Sequence, residues 1–153
     1  MDSGIAIYFT VYGIAQPAGS KKAFHNAKTG RTVVVDDAKG SRSWKTTVSE
    51  AALPHLPREP LTGPLAVSML FYFPRPKGHY GSGRNAEKVK ASAPEWPAVK
   101  PDTTKLFRAV EDALSGLVWR DDAQVVHQVA AKRYGHPARC EVSVELLGRV
   151  TDA

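Results

Sequence analysis

The chain has 153 residues, 42% of them hydrophobic and 24% charged, with a formal net charge of +6 at pH 7. That is the size and balance of one soluble globular domain with a single core. No apolar run approaches the roughly 20 residues that span a bilayer. Met1-Asp2-Ser3 also lacks the basic start and apolar stretch of a signal peptide. Cys140 is the only cysteine, which excludes an internal disulfide and a cysteine-rich zinc site and points to a reducing, cytoplasmic setting.

In chain order, Ile5 to Tyr12 alternates, with Ile5, Ile7, Phe9 and Val11 on one face, and is expected as a half-buried strand. Gly13 to Gly30, rich in Gly, Ala, Ser and Lys, reads as a loop. Thr32 to Val35 is a short strand ended by Asp36-Asp37. Ser41 to Leu53 reads as a helix with Trp44, Val48, Ala51 and Ala52 near one face. Pro54, Pro57 and Pro60 stop it and make an extended connector. Leu65 to Phe73 alternates cleanly, so Leu65, Val67, Met69, Phe71 and Phe73 share a strand face. Pro74 to Lys100 has no apolar period and is long for a loop in a compact domain; such loops are functional or disordered, and residues 75–100 are expected to be mobile. Thr103 to Leu117 carries Leu106, Val110, Ala113, Leu114 and Leu117 at the spacing of a helix that faces a core. Gln124 to Tyr134 and Arg139 to Leu147 are two more strands, the second with Cys140, Val142, Val144 and Leu146 pointing one way. There is no internal repeat. The order of elements predicts one compact α+β domain over residues 1–153, a mixed sheet packed with two main helices.

The positive charge is concentrated. Residues 19–45 hold Lys21, Lys22, Lys28, Arg31, Lys39, Arg42 and Lys45 against Asp36 and Asp37, a net +5. Residues 75–100 hold Arg75, Lys77, Arg84, Lys88, Lys90 and Lys100 against Glu87 and Glu95, a net +4, so the remainder of the chain is slightly acidic. Two basic segments on such a background suggest an anionic partner, of which nucleic acid is the commonest. A role in solubility and an acidic protein partner are the other readings.

Three acids fall at element edges. Asp102 follows Pro101 at the start of the second helix, and Asp121-Asp122 lie in the turn before the next strand. If that helix and strand pack together, both sets converge at one end of the layer. Mg²⁺ takes such oxygen ligands, commonly one or two carboxylates with water and substrate phosphate, and two adjacent like charges are relieved by a cation. Simpler roles stand beside this one. Asp102 suits a helix N-cap, Asp121-Asp122 suits a solvated turn, and Arg108 with Asp112, at i and i+4, suits a surface ion pair.

The stretch Lys100-Pro-Asp-Thr-Thr-Lys-Leu-Phe-Arg-Ala-Val-Glu-Asp-Ala-Leu114, with Gly116 and Val118-Trp-Arg-Asp-Asp-Ala-Gln-Val-Val126, resembles the RusA family of Holliday-junction resolvases. Pro74-Arg-Pro-Lys77 and the Pro17 to Lys22 loop extend the likeness more loosely. The resemblance implies a small homodimeric, Mg²⁺-dependent endonuclease of phage or prophage origin, acting on branched double-stranded DNA in a bacterial cytoplasm, with Mn²⁺ able to replace Mg²⁺. Carried over by position, Asp102 matches the family's first acid, and Asp121 and Asp122 match its tandem pair, making these three the expected metal ligands. Two positions depart: Thr104 stands where the second acid belongs and Arg108 where the catalytic Lys belongs. Arg neutralises a phosphate but is a poorer proton donor. Glu111 shares a helix face with Thr104 and Arg108 and is a candidate substitute ligand, a salt bridge to Arg108 being its other reading. Lys21, Lys22, Arg75, Lys77, Arg84, Lys100 and Lys105 are the cations expected to track DNA phosphates. The alternative implied by Thr104 is a weakened or inactive protein that keeps the fold and binds DNA.

Overall fold

Two short apolar periods and one long one determine the layers. A computed structural model describes residues 6–19, 21–36 and 41–148. The side chains of residues 21–26, 32–36, 41 and 42 lie outside that description, as do Ile5, Asp37 and Lys39 altogether. The strands are β1 (Ala6–Tyr12), β2 (Lys21–Asn26), β3 (Arg31–Asp36), β4 (Leu65–Phe73), β5 (Val125–Tyr134) and β6 (Arg139–Leu146), with helices α1 (Ser41–Ala52) and α2 (Thr103–Leu114). The main sheet runs β1-β6-β4-β5 and is mixed. β6 is antiparallel to both its neighbours, while β4 and β5 are parallel. A parallel neighbour requires a crossover, and the 75–100 loop with α2 supplies it.

Alternation in the strands becomes one buried face. Ile7, Phe9 and Val11 of β1, Leu65, Val67, Met69 and Phe71 of β4, and Cys140, Val142 and Val144 of β6 are all buried. Against them lie Trp44, Val48 and Ala52 of α1 and Leu106, Phe107, Ala109, Val110, Ala113 and Leu114 of α2. Each large apolar side chain buried here contributes about 1.5–3 kcal/mol before the entropy of ordering is charged against it. Polar contacts fix the helix pair. Ser49 Oγ lies 3.0 Å from Lys45 O and 3.2 Å from Ala113 O, and Lys45 Nζ lies 3.5 Å from Asp112 Oδ2. The Cys140 thiol sits in the core, where burial and then the neighbouring Glu141 carboxylate raise its pKa well above the ordinary thiol range, so it is a packing residue.

Three expectations change. The segment expected as a loop from Gly13 to Gly30 contains β2, whose polar sequence has no apolar period; it pairs with β3 alone, in a two-stranded ribbon outside the main sheet. The second helix ends at Leu114 rather than Leu117. Ser115 is extended and Gly116 turns back at φ +84°, donating to Trp119 O at 2.7 Å, a conformation open to glycine. Arg108 does not pair with Asp112, which faces Lys45; its Nη2 donates to Gly19 O at 3.1 Å. The 75–100 loop has only short 3₁₀ turns, Lys77–His79 and Gly83–Asn85, with an isolated bridge between Tyr80 and Val89. Among the described residues no helix is long and apolar enough to cross a membrane.

Candidate metal and DNA site

Asp102 caps α2. Its backbone is extended, and its Oδ2 accepts from Lys105 N at 3.0 Å, satisfying an N–H that the helix itself cannot. The segment leading to β2 is laid on the same turns of the helix: Ala18 N donates to Lys105 O at 3.0 Å, beside the Arg108–Gly19 bond. Ala18 and Gly19 thus lie against the turns of α2 that carry Lys105 and Arg108, shortly before β2 begins at Lys21.

At the far end of α2 the Gly116 turn sends the chain back. Trp119 is fully buried, and its Nε1 donates to Asp122 Oδ1 at 3.0 Å. Asp121 caps a single 3₁₀ turn, Asp122–Gln124, with its Oδ1 accepting from Ala123 N at 2.8 Å. Gln124 Oε1 accepts from Asp121 N at 2.8 Å and from Arg120 N at 2.9 Å. Its Nε2 donates to Leu61 O at 2.9 Å and to Gly63 O at 3.0 Å. The tandem acids are thus fastened to the Leu61–Gly63 segment as well as to the core.

Glu111, half-buried on α2, is where the electrostatics concentrate. Its pKa is raised from 4.5 to about 7, first by burial, then by the Asp122 carboxylate and then by that of Asp112. Among the described residues no ion pair joins Glu111 to Arg108; its charged neighbours are acids. The carboxylates whose charge reaches Glu111 are therefore Asp122 and Asp112. Asp102 is two turns away along α2, and Asp121 is turned to its own cap. Among the described residues no group of three or more metal-ligating side chains forms.

The expected DNA-binding cations divide into free and engaged. Lys77, Arg84 and Lys100 are exposed and Lys105 is half-buried, while the side chains of Lys21 and Lys22 lie outside the described residues. Arg75 is engaged: Nη1 donates to Pro94 O at 2.6 Å, and the guanidinium lies 4.5 Å from the Tyr134 ring centroid. Lys132 closes the loop, its Nζ donating to Val99 O at 2.7 Å and Pro101 O at 2.9 Å, just before the Asp102 cap.

Trp119, Gln124 and Lys132 bond to the turns that carry the acids and were not singled out from the sequence. For Gln124 a signal existed, since Asp-x-x-Gln is the spacing of a capping box, and that box is formed. Trp119 and Lys132 have no local signature, because their partners are set by the turn at Gly116 and by the pairing of β4 with β5.

A profile described as Endodeoxyribonuclease RusA matches residues 15–145. A Bacillus subtilis (strain 168) protein described as "Uncharacterized protein YqaN" is 33% identical over 138 residues, which cover 90% of this chain and 94% of that protein. Both matches take in the α2 cap, the Glu111 turn and the tandem acids, and on that evidence this chain belongs to the RusA family of endodeoxyribonucleases.

Proposed function

We propose that the protein is a Mg²⁺-dependent, structure-selective endodeoxyribonuclease that resolves four-way DNA junctions as a homodimer in a bacterial cytoplasm, with Mn²⁺ able to replace Mg²⁺. The observation that carries this reading is Glu111, half-buried on α2, whose pKa is raised to about 7 by burial and then by the charges of Asp122 and Asp112. One or two carboxylates with water and substrate phosphate are a usual Mg²⁺ environment, so the donor set fits. Glu111 and Asp122 would hold the ion, with Asp102 and Asp121 each keeping one oxygen beyond the bond to a backbone N–H. When bound, the ion would neutralise the pair and lower the pKa of a water beside the phosphodiester.

The chain's own groups do the remainder. Arg108 has five N–H donors in a planar fork, and Gly19 O takes one, so the others are open to a phosphate. The exposed Lys77, Arg84 and Lys100 contact the DNA backbone without reading bases. The core beneath Asp122 keeps that carboxylate in one place as the strand is cut.

Cleavage of a synthetic four-way junction tests the reading. Asp122→Asn and Glu111→Gln should each lose Mg²⁺-dependent cleavage by orders of magnitude while binding the junction in the absence of metal. Cleavage at the wild-type rate by both variants would discard the ion-holding pair. Sedimentation should give twice the chain mass, and a monomer that still makes paired cuts would contradict the homodimer. A second reading, a junction-binding protein without catalysis, is favoured by Thr104 at the family's second acid and by the lack of a three-ligand group among the described residues. Its signature is tight junction binding with no nicking in Mg²⁺ or Mn²⁺.

A further inference from the structure

We propose that Gln124 is the positioning residue of this site, a clamp that fixes the tandem acids in the orientation an ion requires. The proposal rests on the reading of Asp122 as an ion-holding carboxylate. A primary amide has two acceptor lone pairs and two N–H donors, and Gln124 uses both sides. Oε1 takes the N–H groups of Arg120 and Asp121, and Nε2 gives to the carbonyls of Leu61 and Gly63. A capping box needs only the bond to the Asp121 N–H. The two donor bonds reach 63 and 61 residues upstream, to a segment that a local cap has no reason to engage.

The clamp acts on Asp122 through the backbone, while Trp119 acts on its carboxylate. Leu61 N donates to Val118 O at 2.8 Å and Arg120 N to Leu61 O at 3.3 Å, so the same short segment grips the turn on both sides of Trp119. Gly63 sits at φ +104°, and a Cβ there would lie 3.3 Å from Leu146 Cδ1, so this carbonyl is set by a residue with little freedom to change. With the turn pinned at Arg120, Asp121 and Gln124 and its carboxylate held by Trp119 Nε1, Asp122 has little freedom to move. Groups that orient metal ligands without touching the ion typically change metal affinity about 10–100-fold when removed.

The test measures Mn²⁺ binding to the DNA-free protein by electron paramagnetic resonance, on wild type, Gln124→Met, Gln124→Asn and Asp122→Asn. Gln124→Met keeps the length and loses all the amide's bonds. Gln124→Asn keeps an amide one methylene too short to span both segments, and serves if the Met variant does not fold. Both should melt cooperatively and bind a four-way junction without metal as wild type does. Their Mn²⁺ dissociation constants should rise by about tenfold or more, with cleavage recovered at high metal concentration. A lower melting temperature with an unchanged Mn²⁺ dissociation constant in both variants would mean that Gln124 supports the fold alone, and would overturn the clamp. If Asp122→Asn binds Mn²⁺ as wild type does, the ion-holding reading falls and the clamp with it. If Asp122→Asn loses Mn²⁺ while both Gln124 variants keep wild-type affinity, only the clamp is wrong.

Discussion

Replacing Glu111 by Gln should stabilise the metal-free protein at neutral pH and leave it almost unchanged in acid. Burial and the carboxylates of Asp122 and Asp112 lift the Glu111 pKa from 4.5 to about 7. Across that window the native state holds a proton that the unfolded chain has released. Stability therefore falls as pH rises from 4.5 to about 7 and is level above it. At about 1.4 kcal/mol per pH unit the whole rise corresponds to roughly 3 kcal/mol. Glu111 is partly open to solvent, which screens its neighbours, so the expected difference is about 1 kcal/mol. Gln at this position has no such dependence. Urea unfolding in a chelator, on both proteins, at intervals from about pH 4.5 to about pH 8, should show the variant gaining about 1 kcal/mol relative to wild type over the window. Mn²⁺ at the upper pH should then raise the stability of wild type more than that of the variant, since an ion bound only by the native state stabilises it. A difference between the two proteins that does not vary with pH would refute the raised pKa of Glu111.

Three further outcomes are expected. Leu114→Ala empties a fully buried position between α2 and the sheet and should lower stability by about 2–5 kcal/mol, read as a shift in the urea midpoint at constant slope. Lys77→Ala removes an exposed cation and should weaken junction binding while flattening the log–log salt dependence by about one unit, whereas an unchanged slope would show that Lys77 meets no phosphate. The loop of residues 75–100 should be cut by protease more slowly when a junction is bound, because its cations need phosphates to neutralise them. Equal rates with and without DNA would count against that contact.

The core was legible in the sequence wherever one face of an element is buried and the other is open. β4 and α2 have that pattern: Leu65, Val67, Met69 and Phe71 are buried as expected while Phe73 is only partly so, and Phe107 and Ala109 widen the helix stripe beyond Leu106, Val110, Ala113 and Leu114. β2 was illegible because Lys21 to Asn26 pairs with β3 alone, outside the main sheet, and its sequence has no apolar alternation to betray it. Leu117 sits at the right helical spacing and still falls outside α2, since one glycine at φ +84° outweighs a period. The acids at element edges could be found in the sequence, but not what each one bonds to. Asp102 and Asp121 serve as caps, as the local rules allow. The approach of Glu111 to Asp122 depends on the chain reversing at Gly116 and on Trp119 being drawn into the core, and neither is a property of a short window. The choice of Lys45 over Arg108 as the partner of Asp112 likewise depends on how α1 lies against α2.

The strand order has a kinetic consequence. β1 is joined to the main sheet only through β6, with Ile7 opposite Val144, so one edge of the sheet closes between nearly opposite ends of the described chain. Contacts of such sequence separation form late, because most of the loop-closure entropy is lost before they are gained. During synthesis β1 must wait for its only strand partner until β6 has been made, although Phe9 can already meet His55, which follows α1. The tandem acids, β4 and β5 all precede β6 in the chain, so the acids are made before the strand that joins β1 to β4. The main sheet is therefore complete only after nearly all of the described chain has been made.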